Sequence, residues 1–278
     1  MEGDKLGSDE NILFNQKSFE DIQYFLTGSF RVEILLELYE SDKTVKDLKE
    51  ILNKSESNIL HYLKDFEEKE LIERNKEEYT LSSKGYFIIR HIVKLISNWG
   101  SINANLDFWD NHLYDNLPLP FVLNMDLWDN SKIIANDNLD YNKPSHIYSD
   151  LISHSKYIKV ILPVLSAYHL DAILSSVENN NGKLDLITSN LLLKNLYTSE
   201  FHERFFKLKS QGKIRVWSTK QSKNVNKFLT CTENFSSLYL IHDNGVYDDS
   251  KMLLNDEESN VKKVNELFDL YKETINPQ

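Results

Sequence analysis

The sequence is poor in cysteine, glycine and cationic charge, and each shortage excludes something. Cys231 is the only cysteine, so no intramolecular disulfide and no cysteine-rich zinc site can form, which fits a reducing compartment. A lone thiol between Thr230 and Thr232 reads as structural. With only eight glycines, no glycine-rich phosphate loop is found, and neither G-x-S-x-G nor a dinucleotide fingerprint is present. No run approaches the roughly 20 apolar residues of a membrane span. Met1 to Gln16 is acidic and polar rather than a charged-then-apolar secretion signal, so the expected compartment is the cytoplasm, with no membrane partner. The eight histidines include no HExxH and no pair with nearby carboxylates at metal-ligand spacing, so neither a metal nor a cofactor is expected. A formal net charge of -11 argues against nonspecific coating of nucleic acid or membrane, while leaving local recognition open.

What is present is enough apolar sequence, 41% of 278 residues, for a large core, and a length that suggests two domains. Met1 to Lys17 has no sustained helical period and reads as a loose, disordered end. Phe19, Ile22, Phe25 and Leu26 then recur at helical spacing. After Thr27-Gly28-Ser29, a second helical run carries Val32, Ile34, Leu35, Leu38 and Tyr39. Thr44 and Asp47 mark the start of a short helix with Leu48, Ile51 and Leu52 inward. Asn53-Lys54 forms a turn, and Ser55 or Ser57 caps a further helix reaching Lys69.

That last helix divides cleanly. At about 100° per residue, Ile59, Leu60, Leu63 and Phe66 share one side, while Ser57, Asn58, His61, Tyr62 and Asp65 share the other. Strand-like Leu71–Arg74 and Tyr79–Leu81 follow, separated by a polar turn. Helix, short helix, turn, helix and hairpin is the winged helix-turn-helix order, in which the last helix enters the major groove. The expected DNA contacts are Ser55, Ser57, Asn58, His61 and Tyr62 from the helix, with Lys54, Lys64, Arg74 and Lys76 toward phosphate. The partner is then double-stranded DNA.

From Ser82 to Trp99 a broad apolar helix follows, including Ile88, Ile89, Ile92, Leu95, Ile96 and Trp99. It is either buried between domains or packed against the same helix of a second chain, and the two are compatible. Ser101 to Trp128 forms a junction. Beyond it, strands at Tyr157–Pro163, Lys183–Thr188 and Lys213–Ser218 alternate with helices at Ala167–Val177 and Leu191–Lys209. That alternation implies parallel pairing, and Lys227–Thr232 and Ser237–His242 read as antiparallel additions. A final helix carries Val261, Val264, Leu267, Phe268 and Tyr271. The fold expected is therefore two-domain, with the helix-turn-helix domain at 18–82, a linker and dimerisation segment at 83–128, and a mixed α/β domain at 129–278. Residues near the carboxyl ends of strands, Ser166, Thr188, Ser189, Thr219, His242 and Tyr247, are the candidate lining of a small-molecule effector site.

The stretch from Leu26 to Gly85 resembles the winged-helix domain of archaeal regulators of the ArsR-like type. The pieces DFWDNH and FLTCTENFSSLYLIHDNGVYD, with the final helix, resemble the effector-like domain of the FilR1 family of methanogenesis regulators. The resemblance implies a C-terminal domain like a degenerate phospholipase-D-like sensor fold. A phospholipase-type site would need His and Lys separated by one residue with a downstream Asp, and His242-Asp243-Asn244 has no such Lys, so no enzyme activity is expected. One count opposes DNA binding. Glu20 to Lys94 holds 12 basic and 16 acidic residues, where a DNA-binding domain is expected to be basic. The competing reading is a protein–protein adaptor whose winged helix binds no DNA.

Overall fold

The computed structural model describes residues 16–110, 112, 117–220, 225–273 and 275. Of the expected loose end, residues 1–15 lie outside these, while Gln16 and Lys17 already belong to a helix. The chain divides into two compact units, Met1–Ile96 and Ser97–Gln278. Among the described residues, no helix is long and apolar enough to cross a membrane.

The first unit runs α1 (Gln16–Leu26), α2 (Ser29–Glu40), β1 (Lys43–Thr44), α3 (Val45–Leu52), α4 (Glu56–Glu68), β2 (Ile72–Asn75), β3 (Glu78–Leu81) and the first part of α5 (Ser83–Ala104). A reciprocal cap starts α3: Thr44 Oγ1 accepts from the Asp47 N–H at 3.2 Å, and the Thr44 N–H donates to the Asp47 carboxylate at 2.8 Å. Helix α3 ends at Asn53, whose left-handed φ of 52° suits asparagine better than most residues. Ser55 then accepts from the Asn58 N–H and opens α4. The hairpin pairs antiparallel with β1, giving a three-stranded sheet ordered β1-β3-β2.

Ile34, Leu35, Leu48, Ile59, Leu63, Phe66, Tyr79 and Ile89 form the core of this unit. Leu60, expected to face inward, is instead 42% exposed, because one residue beyond Ile59 turns it about 100° away. Gly85 is required by close approach: a Cβ there would lie 2.0 Å from the Leu71 carbonyl oxygen, so the start of α5 rests directly on the backbone leading into the hairpin. Ile89 and Ile92 of α5 are buried in the same core, so the helix expected as a linker also completes this unit.

The second unit contains α6 (Leu106–Trp109), α7 (Leu119–Val122), a 3-10 turn (Met125–Trp128), β4 (Lys132–Ala135), α8 (Lys143–Ser153), β5 (Tyr157–Leu162), α9 (Ala167–Asn179), β6 (Lys183–Ser189), α10 (Asn190–Tyr197), α11 (His202–Ser210), β7 (Ile214–Thr219), β8 (Phe228–Cys231), β9 (Ser236–Tyr239), β10 (Lys251–Asn255) and α12 (Glu258–Glu273). Its seven-stranded sheet is ordered β4-β10-β9-β8-β5-β6-β7. The trio β5-β6-β7 is parallel, as helix crossovers require, and every other pairing is antiparallel.

Strand alternation feeds two cores. Val160, Leu162 and Phe228 join Tyr148, Leu170, Ile173 and Phe205 in one, whereas Ile161 and Leu229 join Phe108, Phe121, Trp128 and Phe268 in the other. Cys231 is fully buried in the second core, and burial pushes its thiol pKa well up, which suits a structural role. The helix expected over Leu191–Lys209 is two helices: Ser199 Oγ accepts from the Phe201 N–H at 3.2 Å, and that local bond competes with continuing the helix. Strands β4 and β10 and helix α8 were not expected from the sequence.

Candidate nucleic-acid interface and sites of the second unit

Helix α4 shows its polar row to solvent. Ser55, Ser57, Asn58, His61 and Lys64 are exposed along it, and Lys54 lies exposed just before it. Two members of that face are committed to the fold. Tyr62 is half-buried with its ring edge-on to Phe30 at 5.3 Å, and Asp65 accepts a hydrogen bond from the Tyr24 hydroxyl. The outward set therefore narrows to Ser57, Asn58 and His61, with Ser55 serving as cap.

The basic residues differ in freedom. Arg74 Nε donates to the Lys76 carbonyl at 2.9 Å, and its guanidinium lies 5.4 Å from the Tyr79 ring centre, so Arg74 braces the hairpin. Lys76 occupies the exposed tip with a left-handed φ of 59°. Lys64 makes a 3.9 Å ion pair with Glu68 that is exposed on both sides, a contact worth at most about 0.5 kcal/mol and easily exchanged. Glu67, Glu68, Glu70, Glu77 and Glu78 are all exposed, so the acidic excess is a surface property.

In the second unit the six expected pocket residues do not form one site. Thr188 is buried and donates to the Leu162 carbonyl at 2.9 Å, and Ser189 caps α10 through the Leu192 N–H at 3.1 Å. The first bond joins neighbouring strands and the second starts a helix, so both side chains are spent on the fold. Thr219 ends β7, half-buried. Ser166 and Tyr247 do converge, around His169: Ser166 Oγ lies 2.8 Å from His169 Nδ1, and the Tyr247 ring centre lies 6.3 Å from that of His169. Tyr148, Phe228 and Tyr239 close the aromatic group. Burial lowers the His169 pKa to about 4, keeping the ring neutral. His169 Nε2 and the Tyr239 and Tyr247 hydroxyls are buried without hydrogen-bond partners among the described residues, each at a cost of about 1–3 kcal/mol.

His242 belongs elsewhere, and here the reading of the histidines needs correction. His242 stacks on His112, ring centres 4.9 Å apart and planes within 9°, and both face Asp248. Histidines with a nearby carboxylate thus exist in space although no local spacing showed them, because His112 and Asp248 are 136 residues apart. Burial opposes the Asp248 charge, but bonds from His112 and Ser250 outweigh it and hold the pKa at about 2.

Lys227 was also missed. It is 2% exposed, has no hydrogen-bond partner for Nζ among the described residues, and faces the Tyr271 ring at 4.6 Å. Burial lowers its pKa to about 7. It lines an apolar recess with Pro118, Phe121, Leu229, Phe268 and Tyr271. The available signal was a lysine opening an otherwise apolar strand run, Lys227-Phe228-Leu229.

These features define a two-unit class of chain, in which a small helix-and-hairpin unit with an outward polar helix face precedes a mixed α/β unit with buried ionisable groups. Residues 19–99 match the N-terminal domain of the methanogenesis regulatory protein FilR1, and residues 141–274 match its middle domain. The chain thus carries matches to both domains, in that order, over most of its length. It is similar to the methanogenesis regulatory protein FilR1 of Methanothrix harundinacea (strain 6Ac), 25% identical over 255 residues. That match covers 90% of this chain and 56% of the relative, so the chain spans about half the relative's length. Among solved structures, TrmBL2, an archaeal chromatin protein, matches with a TM-score of 0.42 and 12% identity over 85% of this chain and 88% of that one. NucT from Helicobacter pylori matches with a TM-score of 0.41 and 14% identity over 53% of this chain and 98% of that one. Both likenesses are too remote to bear on fold or function.

Proposed function

We propose that the chain is a transcriptional regulator that reads duplex DNA as a homodimer through an ArsR-like winged helix-turn-helix, with a second unit that senses a small molecule. The observation that carries this reading is the outward row Ser57, Asn58 and His61 on α4, whose opposite face, Ile59, Leu63 and Phe66, is buried. Asn can bond adenine in two places, and Ser and His reach base edges or phosphate. The match to two domains of a regulatory protein supports the same reading.

Dimerisation is assigned to α5, where Phe87, Leu95, Ile96 and Trp99 are exposed at 63%, 47%, 51% and 67%. Such an apolar stripe is costly in water and is covered well by its own copy. A dimer places two reading helices about 34 Å apart and calls for a near-palindromic site. The effector reading draws on Lys227, whose buried Nζ has no hydrogen-bond partner among the described residues; its apolar recess of about 10 Å³ holds no more than a water-sized group, so an acidic ligand enters only as the recess opens.

A gel-shift assay with duplex from the chain's own upstream region tests the DNA reading. The protein is expected to shift it, and Asn58→Ala with His61→Ala, both exposed and harmless to the core, abolishes the shift. Unchanged binding by the double variant removes α4 as the reader. The acidic excess of the first unit favours the adaptor reading, which predicts no shift for either protein.

A further inference from the structure

The two sequence pieces set apart earlier, Asp107–His112 and Phe228–Asp248, meet in the second unit, and nothing in DNA reading uses the meeting point. We propose that His112, His242 and Asp248 form a binding site for one divalent transition-metal ion of the zinc type, clipping His112 to the 242–248 turn.

The donor geometry carries the proposal. One ligand atom from each residue lies within 4.8 Å of the others. His112 Nε2 stands 3.1 Å from Asp248 Oδ2, and His242 Nε2 stands 3.6 Å from the same oxygen. Zinc holds imidazole nitrogen and carboxylate oxygen at about 2.0–2.2 Å in a tetrahedron, which spaces the ligand atoms about 3.3 Å apart. Two of the separations already bracket that value, and the third, between the two ring nitrogens, is within 4.8 Å and closes when the imidazoles rotate out of their parallel stack toward the ion. Two nitrogens and one carboxylate oxygen suit zinc or cobalt better than magnesium or calcium, which take oxygen sets.

The surroundings hold the donors in place. Asp248 Oδ1 accepts from the Ser250 N–H at 2.8 Å and from its hydroxyl at 2.5 Å, which leaves Oδ2 aimed at the two rings. Such outer bonds fix ligand orientation. An isolated backbone bridge between His112 and His242 fixes the ring spacing, and Phe108 lies along His112 at 5.9 Å. His112 and Asp248 are each 4% exposed, while the His242 side chain is 35% exposed. The site is therefore closed on one side and open on the other, leaving a fourth position for water or an exogenous donor. Cys231, the sole thiol, is buried in the core with its sulfur toward the Val264 carbonyl and supplies no ligand.

Cobalt titration into chelator-treated full-length protein tests the assignment. One equivalent of Co²⁺ per chain is expected, with the visible absorption of tetrahedral cobalt, displaced by one equivalent of Zn²⁺. His242→Gln is the primary variant because His242 is the most exposed of the three, and tryptophan fluorescence confirms that it remains folded. Its affinity for Co²⁺ is expected to fall by more than the roughly 100-fold that loss of an outer-shell partner causes. Zn²⁺ is also expected to raise the unfolding midpoint of the wild type but not of the variant. Absence of cobalt binding by the wild type, or the same stoichiometry and spectrum in His242→Gln, overturns the proposal. Neither readout involves DNA, so the result stands apart from the regulatory reading.

Discussion

Replacing Lys227 by Met should stabilise the second unit, and the gain should shrink as pH rises. Met keeps most of the apolar volume and removes a charge that is 2% exposed and lacks a hydrogen-bond partner for Nζ among the described residues. The lysine pKa falls from 10.5 to about 7 on folding because burial penalises the ammonium. The folded state therefore releases the proton at a lower pH than the unfolded state. Below pH 7 both states are charged and the penalty is constant. Between pH 7 and 10.5 only the unfolded state holds the proton, so wild-type stability rises by about 1.4 kcal/mol per pH unit. From pH 7 to pH 10 that amounts to about 4 kcal/mol, and the Tyr271 ring contact at 4.6 Å, which favours the charged form by about 1 kcal/mol, lowers the expectation to about 3 kcal/mol. All four tryptophans, Trp99, Trp109, Trp128 and Trp217, lie in the second unit, so urea unfolding followed by tryptophan fluorescence reports on it. Subtracting the variant's pH profile from that of the wild type cancels other titrating groups. Parallel profiles from pH 7 to 10 would refute a buried, desolvated lysine.

Other substitutions probe separate links in the account. Gly85→Ala should destabilise the first unit by about 3 kcal/mol or more, read by chemical denaturation, even though helix propensity alone favours Ala by about 1 kcal/mol; the new Cβ meets the Leu71 oxygen at 2.0 Å. His169, whose pKa falls from 6.5 to about 4, should make stability drop by about 3 kcal/mol as pH falls from 6.5 to 4, because only the unfolded state takes up the proton there. His169→Leu should flatten that window in acid-unfolding curves. Trp99→Glu with Phe87→Glu should yield monomers by sedimentation if α5 joins two chains, and duplex affinity should fall by at least tenfold; an unchanged dimer would move the interface elsewhere.

Much of the first unit was legible because its signals are local. Thr44 with Asp47, Ser55 ahead of an amphipathic run, and the polar turn between Leu71–Arg74 and Tyr79–Leu81 each fix an element within a few residues. The parallel trio was legible from strand–helix alternation. Strands β4 and β10 were not, because four- and five-residue strands at Lys132–Ala135 and Lys251–Asn255 gain their meaning from pairing with each other across the chain. Helix α8 carried a readable signal, Pro144 in the first turn followed by Ile147, Tyr148, Leu151 and Ile152 at helical spacing. Site residues divided in the same way. The α4 row follows from helical arithmetic, whereas Tyr62 turned inward because Phe30 on another helix receives it. The group of His112, His242 and Asp248 depends on a bridge between segments distant in sequence, which no spacing rule reaches.

The salt dependence of duplex binding tests the central claim most directly, because the first unit carries more acid than base. Phosphate contact by Lys54, Lys64 and Lys76 from each of two protomers predicts that log affinity falls linearly with log salt at a slope of about −5. Affinity on the chain's own upstream duplex should follow that line, and Lys76→Ala, which removes one contact per protomer, should make the slope shallower by about 2. A flat salt response, or no binding at low salt, would contradict DNA reading by this unit and leave the adaptor role in its place.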